Sequence, residues 1–274
     1  MKVVAVFGGG GGKAAAHIGA QRALVEADLA PAHFVGTSFG AVIGAAFAAG
    51  ATYQSLVADL ADATRGKIAS IDLLSLVKGV YADHVIKPEP LVALIARLIP
   101  VTRFDDLKLP LSIAATDLES GQLVVFGAGG RGDVGVREAL YASCALPLYY
   151  PPAVIGGRRY ADGGLRAVLP LETARGIPAD LVVAVHVGPG FDEVAPPQRT
   201  AFRTPPLIRA HGESERIMMA AQVEQAIAAW PKTGAKLVLV RPVREREATF
   251  ALENMSRYVA AGYQRTRAAL ASAR

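Results

Sequence analysis

The chain has 274 residues, of which 52% are hydrophobic, and its formal net charge is +5. This length and apolar fraction suit a single α/β domain with one substantial core, so we expect one domain over residues 1–274. The one cysteine, Cys144, excludes an internal disulfide and builds no metal site by itself, which fits a cytoplasmic protein. No apolar run approaches the roughly 20 residues of a membrane-spanning helix.

The charge pattern bears on partners. The 29 Lys and Arg residues exceed the 24 Asp and Glu residues by a small margin that is spread along the chain. This excess favours approach to anionic surfaces, and we expect at most a transient, peripheral contact with an anionic membrane surface. Because the chain has no block of five like charges and no aromatic residues interleaved with basic ones, we expect no nucleic-acid partner. The sequence leaves the oligomeric state open.

Strands and helices alternate in the first part of the chain. Val3–Phe7 is an apolar run bounded by glycine, typical of a strand buried on both faces, and residues 14–27 form a predicted helix. Phe34 and Val35 lead into a glycine-flanked turn, which the alanine-rich helix 41–49 follows. This order predicts a parallel βαβ unit, and therefore an α/β fold with a mostly parallel central sheet flanked by helices.

The later elements complete this sheet. Residues 53–99 are mostly helical by periodicity and interrupt the alternation, so we expect a cap-like helical insertion over the site. The turn Glu119-Ser120-Gly121 joins two predicted strands into a hairpin. The remaining predicted elements are the strands 111–116, 122–126, 181–187 and 236–240 and an amphipathic helix at 250–271.

The stretch Gly36-Thr37-Ser38-Phe39-Gly40 has the form G-x-S-x-G. In a nucleophile elbow the serine lies on a turn so tight that only small residues on either side let strand and helix approach. The pentapeptide alone is a moderate signal in a chain with 28 glycines, but its place between a predicted strand and a predicted helix is the context that the motif requires. Ser38 is therefore a candidate nucleophile.

A run of five glycines, Gly8 to Gly12, joins the first predicted strand to the first helix. A Walker A loop is excluded, because Phe7 stands where that motif needs glycine and Ala14 where it needs serine or threonine. A dinucleotide fingerprint of the form G-x-G-x-x-A fits this run, but no acidic residue ends the second strand to hold the ribose.

An oxyanion hole is the third interpretation of the glycine run. It needs neither an acid nor a metal, only backbone N–H groups near a helix N-terminus that converge on a developing negative charge. Adjacent parallel strands also deliver this loop and the Ser38 turn to the same edge of the sheet. A tight glycine turn without a chemical role is the remaining alternative.

Ser38 needs a base. His186 or His211 would complete a triad in the order of an α/β-hydrolase, but in those enzymes the nucleophile follows several strands, whereas Ser38 follows the second. His186 is better explained as a strand-end histidine, and His17 as a packing residue. Asp162 is the better candidate, because the two glycines after it allow a close backbone approach at a strand end. An ordinary Asp-Gly turn is the alternative.

Together these motifs resemble those of bacterial patatin-like phospholipases, along most of the chain. The loop 8–19, the elbow 36–40 and the Asp-Gly-Gly block 162–164 are similar to the family's motifs in the same order, and residues 110–121 and 142–147 resemble two further blocks. The resemblance implies a three-layer α/β/α fold and a lipid or small-ester substrate, hydrolysed through an acyl-enzyme without a cofactor or metal. It also implies roles, namely a Ser–Asp dyad of Ser38 as nucleophile and Asp162 as base, with the amides of Gly9, Gly10, Gly11 and Gly12 as oxyanion donors.

Three positions depart from the family pattern. Ala14 stands where glycine is usual, Phe39 where a small residue follows the serine, and Ala167 where asparagine is common. None of them removes a member of the dyad. They keep open a second hypothesis, in which the chain is a weak or inactive patatin fold that binds or regulates acyl lipids. A third hypothesis is a nucleotide-dependent oxidoreductase that uses the glycine run.

Overall fold

The computed structural model describes residues 1–65, 84–194, 206–244, 246 and 254–273. In this part of the chain eight strands form one sheet. They are β1 (Val3–Phe7), β2 (His33–Thr37), β3 (Leu111–Asp117), β4 (Leu123–Gly127), β5 (Ala153–Ile155), β6 (Arg158–Asp162), β7 (Leu181–Val185) and β8 (Lys236–Val240). The strand order is β5-β6-β3-β2-β1-β7-β8, and β4 pairs with β3 beside this path.

Helices cover the sheet. They are α1 (Ala16–Glu26), α2 (Phe39–Ala49), α3 (Tyr53–Arg65), α4 (Glu89–Leu98), α5 (Val136–Cys144), α6 (Gly164–Ala167), α7 (Leu171–Arg175), α8 (Pro206–Ala228) and α9 (Met255–Ala273), with short 3₁₀ turns at Gly11–Ala15 and Phe104–Asp106. None of the helices within the described ranges combines the length and hydropathy that crossing a bilayer requires.

The centre of the sheet is parallel, as predicted. β1 pairs in parallel with β2 and with β7, and β7 pairs in parallel with β8. Alternate residues of β1 enter separate cores: Phe7 packs with side chains of α1 and α2, whereas Val4 and Val6 pack with Leu171 of α7 and Val223 of α8. Because both faces are covered, β1 is apolar throughout, and the predicted three-layer arrangement is confirmed.

The edge beside β3 is antiparallel. The β3–β4 hairpin is present where the turn signal predicts it. A second hairpin, β5–β6, was not among the predicted strands, because β6 begins with Arg158 and Arg159 and lacks an apolar run. It pairs with β3 through Asp162 opposite Ala115, which brings the end of β6 to the middle of the sheet.

The register of β3 explains how β6 reaches that place. Residues 111–114 of β3 pair with β2, with Thr37 opposite Ala114. The next residues, 115–117, pair with β6, while β4 occupies the other side of the strand over 112–116. β2 and β6 therefore meet end to end along one side of β3, so the residue after β2 and the last residue of β6 become neighbours.

The predicted insertion at 53–99 is helical at both ends. Leu56 of α3 and Leu91 and Ile95 of α4 are buried in the same core as Phe7. Residues 66–83 lie outside the described part of the chain, so the cap over the site stays a prediction. The predicted C-terminal helix is present as α9, beginning at Met255.

Candidate active site

Ser38 lies between β2 and α2 on the turn that G-x-S-x-G predicts. Its backbone has φ +55° and ψ −136°, a conformation that residues other than glycine rarely adopt. The flanking glycines are required by space: a Cβ atom at Gly40 would overlap the carbonyl oxygens of Phe7 and Gly8, and one at Gly36 would overlap the backbone of Ala41. The local sequence thus brings strand, turn and helix close together around Ser38, which is half-buried.

Asp162 lies at the end of β6, and its side chain reaches Ser38. The Ser38 side chain is near enough to lower the pKa of the Asp162 carboxyl, and Oδ1 of this carboxyl accepts the N–H of Gly164 at 2.7 Å. A Cβ atom at Gly163 would overlap the carbonyl oxygen of Ala114, so only glycine lets the chain turn there. The two residues that the sequence singles out as nucleophile and base are therefore brought together.

The electrostatics of Asp162 are those of a buried acid. Burial disfavours the carboxylate and raises the pKa of Asp162 from its ordinary value to about 7. The Gly164 N–H and the Ser38 side chain act in the opposite direction, and the charge of Glu215 raises the pKa further. A carboxyl group that titrates near neutral pH is suited to accept a proton from an alcohol and return it.

The glycine loop passes beside Ser38. A Cβ atom at Gly9 would lie 3.4 Å from the Cβ atom of Ser38. The N–H of Gly8 donates to the Val185 carbonyl (3.1 Å), and the N–H of Gly9 donates to the Val168 carbonyl (2.9 Å). Among the residues that the structure describes, no hydrogen bond uses the N–H groups of Gly10, Gly11 or Gly12, which begin the 3₁₀ turn.

Two buried side chains anchor this loop. The His17 ring is stacked on Phe7 with ring centroids 4.6 Å apart, and its Nε2 lies 2.8 Å from the Gly8 carbonyl oxygen. Burial lowers the pKa of His17 to about 4, so the ring is neutral and Nε2 carries the proton that it donates. The Nζ of Lys13, also buried, lies 3.5 Å from Oε1 of Glu193. His17 is thus a packing residue, as expected.

The histidines of the alternative triad have partners other than Ser38 and Asp162. His186 follows β7 and is buried beside Arg241 and Lys13, which add to the effect of burial in lowering its pKa. His211 lies on α8, where its Nε2 is 3.4 Å from Oε1 of Glu215. The charge of Glu215 raises the pKa of Asp162, so His211 is linked to Asp162 only through Glu215.

The end of α5 places two side chains near Ser38 that sequence reasoning did not assign. The Ser143 Oγ accepts the N–H of Ser38 at 2.8 Å and donates to the Ala114 carbonyl at 2.7 Å. Burial raises the pKa of the Cys144 thiol, and the nearby Ser38 side chain acts in the opposite direction. The only sequence signal for them was the block 142–147, which resembles a family block but carries no chemistry by itself.

The three departures from the family pattern are accommodated without displacing the dyad. Ala14 is buried in the 3₁₀ turn with a negative φ, and Phe39 is half-buried at the start of α2. Ala167 contributes its backbone, because its carbonyl accepts the Thr37 hydroxyl at 2.6 Å. Over the described ranges, no three His, Cys, Asp or Glu side chains gather as a set of metal ligands.

The sequence of this chain is similar to those of known proteins. The model of the patatin-like phospholipase family matches residues 5–175, more than half of the chain. An uncharacterised NTE family protein of Mycobacterium tuberculosis is 30% identical over 205 residues, which cover 73% of this chain and 54% of that protein. The patatin-like phospholipase domain-containing protein 7 of Rattus norvegicus is 28% identical over 193 residues, or 68% of this chain and 14% of its own length. This chain thus spans about half, or less, of these relatives.

A solved structure shares the fold. VipD from Legionella pneumophila is similar with a TM-score of 0.50 and 14% sequence identity, over 99% of this chain and 66% of that chain. At this identity the similarity concerns the architecture alone, and it agrees with the helix-flanked sheet described above.

Proposed function

The chain belongs to the patatin-like phospholipase family, and from this membership we propose that it is a serine acyl hydrolase acting on carboxylic esters of lipids. The observation that carries the proposal is the approach of two segments: β6 ends at Asp162 beside the end of β2, so that the Ser38 side chain influences the buried carboxyl of Asp162 next to the glycine loop. A nucleophile, a base and unused backbone donors are the three parts that acyl transfer needs.

The proposed reaction has two halves. Asp162 takes the proton of Ser38 while Oγ attacks the ester carbonyl carbon, and the oxygen of the tetrahedral intermediate becomes negative. Collapse of this intermediate breaks the ester C–O bond, and the departing alcohol takes the proton from Asp162. Water then attacks the acyl-enzyme with Asp162 again as base, and the carboxylic acid leaves as Ser38 is regenerated.

The structure narrows the proposed oxyanion donors. The N–H of Gly9 already donates to the Val168 carbonyl, so we assign Gly9 to the shape of the loop and keep Gly10, Gly11 and Gly12 as donors. The N–H of Ser38 is likewise committed to Ser143. Loss of one oxyanion donor costs on the order of 10²–10³ in rate, so the loop matters nearly as much as the dyad.

The substrate is proposed only by class, as a lipid or small ester. The apolar side chains of α3 and α4 are used in the core, so they do not by themselves define an acyl pocket. A cytoplasmic location and a transient contact with an anionic membrane surface stay predictions.

Covalent labelling tests the proposal. A fluorophosphonate probe should label the wild-type chain at Ser38, and Ser38→Ala should abolish the labelling. Asp162→Asn should lower the labelling rate and the hydrolysis of p-nitrophenyl butyrate by about 10²–10⁴-fold, the usual contribution of a general base. Lysophospholipid and diacyl phospholipid, assayed in parallel, identify the ester class.

The matched control is Ser120→Ala, because Ser120 is an exposed serine in the β3–β4 turn. This variant should label like the wild type. A wild-type chain that is folded but not labelled would contradict the proposal and favour the acyl-lipid binding module instead.

A further inference from the structure

The last turn of α5 contacts both catalytic segments, and we propose that Ser143 is a positioning residue that holds Ser38 in its reactive conformation. This inference rests on the proposed function, because it assigns a role in the same reaction. The Ser143 side chain contacts the backbone N–H of Ser38, and the Ser143 backbone carbonyl contacts the segment that carries Asp162.

The Ser143 hydroxyl has one possible hydrogen-bonding arrangement. Its oxygen accepts the N–H of Ser38 at 2.8 Å, and its proton goes to the Ala114 carbonyl at 2.7 Å. The Ala114 carbonyl can only accept and the Ser38 N–H can only donate, so the direction of both bonds is fixed. Ser143 is fully buried, and water cannot replace it without a rearrangement.

Ser38 needs such a support. A residue other than glycine with φ +55° is strained by about 1–3 kcal/mol and keeps that conformation only where its surroundings impose it. Gly36 and Gly40 permit the turn, but they do not fix the direction of the Ser38 N–H. The bond to Ser143 fixes it, and Ala114 in turn ties Ser143 to β3, the strand that pairs with both β2 and β6.

The same turn of α5 also holds the base. The Ser143 carbonyl accepts the N–H of Gly163 at 3.3 Å, and the Ala145 carbonyl accepts the N–H of Asp162 at 3.0 Å. The last carbonyls of a helix lack partners within the helix, so they are free to accept these N–H groups. The end of α5 therefore holds both segments: the Ser143 side chain binds the backbone of Ser38, and the Ser143 and Ala145 carbonyls bind the backbone of Gly163 and Asp162.

The consequence for the reaction is specific. Removing the Ser143 hydroxyl frees the Ser38 backbone but leaves the carbonyls that hold Asp162, the glycine loop and the ester-binding surface in place. The alcohol then spends less time in line with Asp162, so kcat falls while KM stays. A misplacement of about 1 Å near the reacting atoms typically lowers a rate on the order of 10²-fold.

The experiment compares Ser143→Ala with Ser112→Ala. Ser112 is the matched control, because it is also a fully buried serine with a bridging hydroxyl, 2.6 Å from the Ala128 carbonyl and 2.9 Å from His33 Nε2, but it does not contact the dyad. Fluorophosphonate labelling rate, kcat and KM for p-nitrophenyl butyrate, and Tm are measured for both. We expect Ser143→Ala to lose about 10–100-fold in labelling and kcat with KM unchanged, and Ser112→Ala to lose Tm without losing kcat.

Each outcome of this comparison supports or contradicts the positioning role of Ser143. Equal labelling of Ser143→Ala and the wild type, or equal losses in the two variants, would overturn the positioning role and leave the proposed function standing. If the wild type itself is not labelled, the proposed function fails and this inference fails with it. If Ser143→Ala does not fold, Ser143→Thr and Ser143→Cys give the same comparison. Labelling should then be faster with the hydroxyl than with the weakly bonding thiol, and equal rates would contradict the role.

Discussion

The proposed nucleophile and the proposed base reach the candidate site by different routes. Ser38 follows a central parallel strand, and its position is set within five residues by the space around Gly36 and Gly40. Asp162 ends β6, an antiparallel strand between the edge strand β5 and β3, and its position is set by how β6 pairs with β3. The first arrangement is local, whereas the second requires that distant segments of the chain have found their register.

This difference separates the part of the site that local packing forms from the part that depends on the pairing of distant strands. The elbow depends on close packing within one strand–turn–helix unit, where a Cβ atom at Gly36 or Gly40 would overlap backbone atoms. The dyad is complete only when β6 lies end to end with β2 along β3, and the last turn of α5 links the two segments. Substitutions that break one route should therefore differ in their effects from those that break the other.

The largest effects are expected from glycines on the two routes. Gly40→Ala would place a methyl group on the carbonyl oxygens of Phe7 and Gly8, and Gly163→Ala would place one on the carbonyl oxygen of Ala114. Both variants should lose fluorophosphonate labelling almost completely. Gly40→Ala should also destabilise the fold, because it separates α2 from β1, whereas Gly163→Ala should mainly displace the end of β6. Tm and labelling, measured together, separate the two outcomes.

The control for both glycine variants is Gly132→Ala. A Cβ atom at Gly132 meets nothing within 4 Å, and the residue does not have a positive φ. Its Tm and labelling should match the wild type. Normal labelling of Gly163→Ala would show that the approach of β6 is not what positions the base.

Asp162→Asn is expected to stabilise the protein while it removes activity. The pKa of Asp162 is about 7 in the folded chain and near 3.8 when unfolded, so between these values the folded state binds more protons. The free energy of unfolding therefore falls as pH rises from about 4 to about 7, by up to about 4 kcal/mol at 1.36 kcal/mol per unit. The asparagine side chain does not ionise, so the variant does not lose this free energy of unfolding as pH rises. Denaturant unfolding at pH 5 and pH 8 checks it: the gain in stability of the variant over the wild type should be larger at pH 8 than at pH 5, by about 2–3 kcal/mol.

A smaller effect is expected from Glu215, which reaches the base from α8. Its charge raises the pKa of Asp162, and burial raises the pKa of Glu215 itself. Glu215→Gln should shift the rise of kcat/KM with pH to lower pH, by less than about one unit, without a loss of the maximum rate. Glu224→Gln is the control, because Glu224 is exposed on the same helix. An unchanged profile in Glu215→Gln would mean that the base titrates independently of α8.

The same contrast explains what the sequence could predict. The central strands β1, β2 and β7 are buried on both faces and β8 is a short run rich in apolar residues, so these strands and the fold class were readable from the sequence. The glycine pattern located Ser38. Asp162 was recognised as a candidate, but the β5–β6 hairpin that carries it was not predicted, since edge strands with charged residues lack a clear period.

The supporting side chains were beyond the reach of the sequence for a different reason. Ser143, Cys144 and Glu215 act through contacts between elements far apart in the chain, and neither serine nor glutamate carries a local signal for such a contact. Gly9 shows that the sequence can also suggest a role that a distant contact prevents. The motif includes Gly9 among the oxyanion donors, but its N–H donates to the Val168 carbonyl.

The smallest effect is expected from Arg158, at the start of β6. Its Nε donates to Oδ2 of Asp117 at 2.8 Å, at the end of β3 where β6 pairs. The guanidinium is half exposed, and exposed ion pairs contribute little, so Arg158→Ala should lower Tm by no more than about 3 °C. Labelling at Ser38 should stay at the wild-type rate, because the pairing of Asp162 with Ala115 and the bond from Asp162 to Ala145 are unchanged. A large loss of labelling would mean that the register of β6 is held by this edge contact and not by the end of α5.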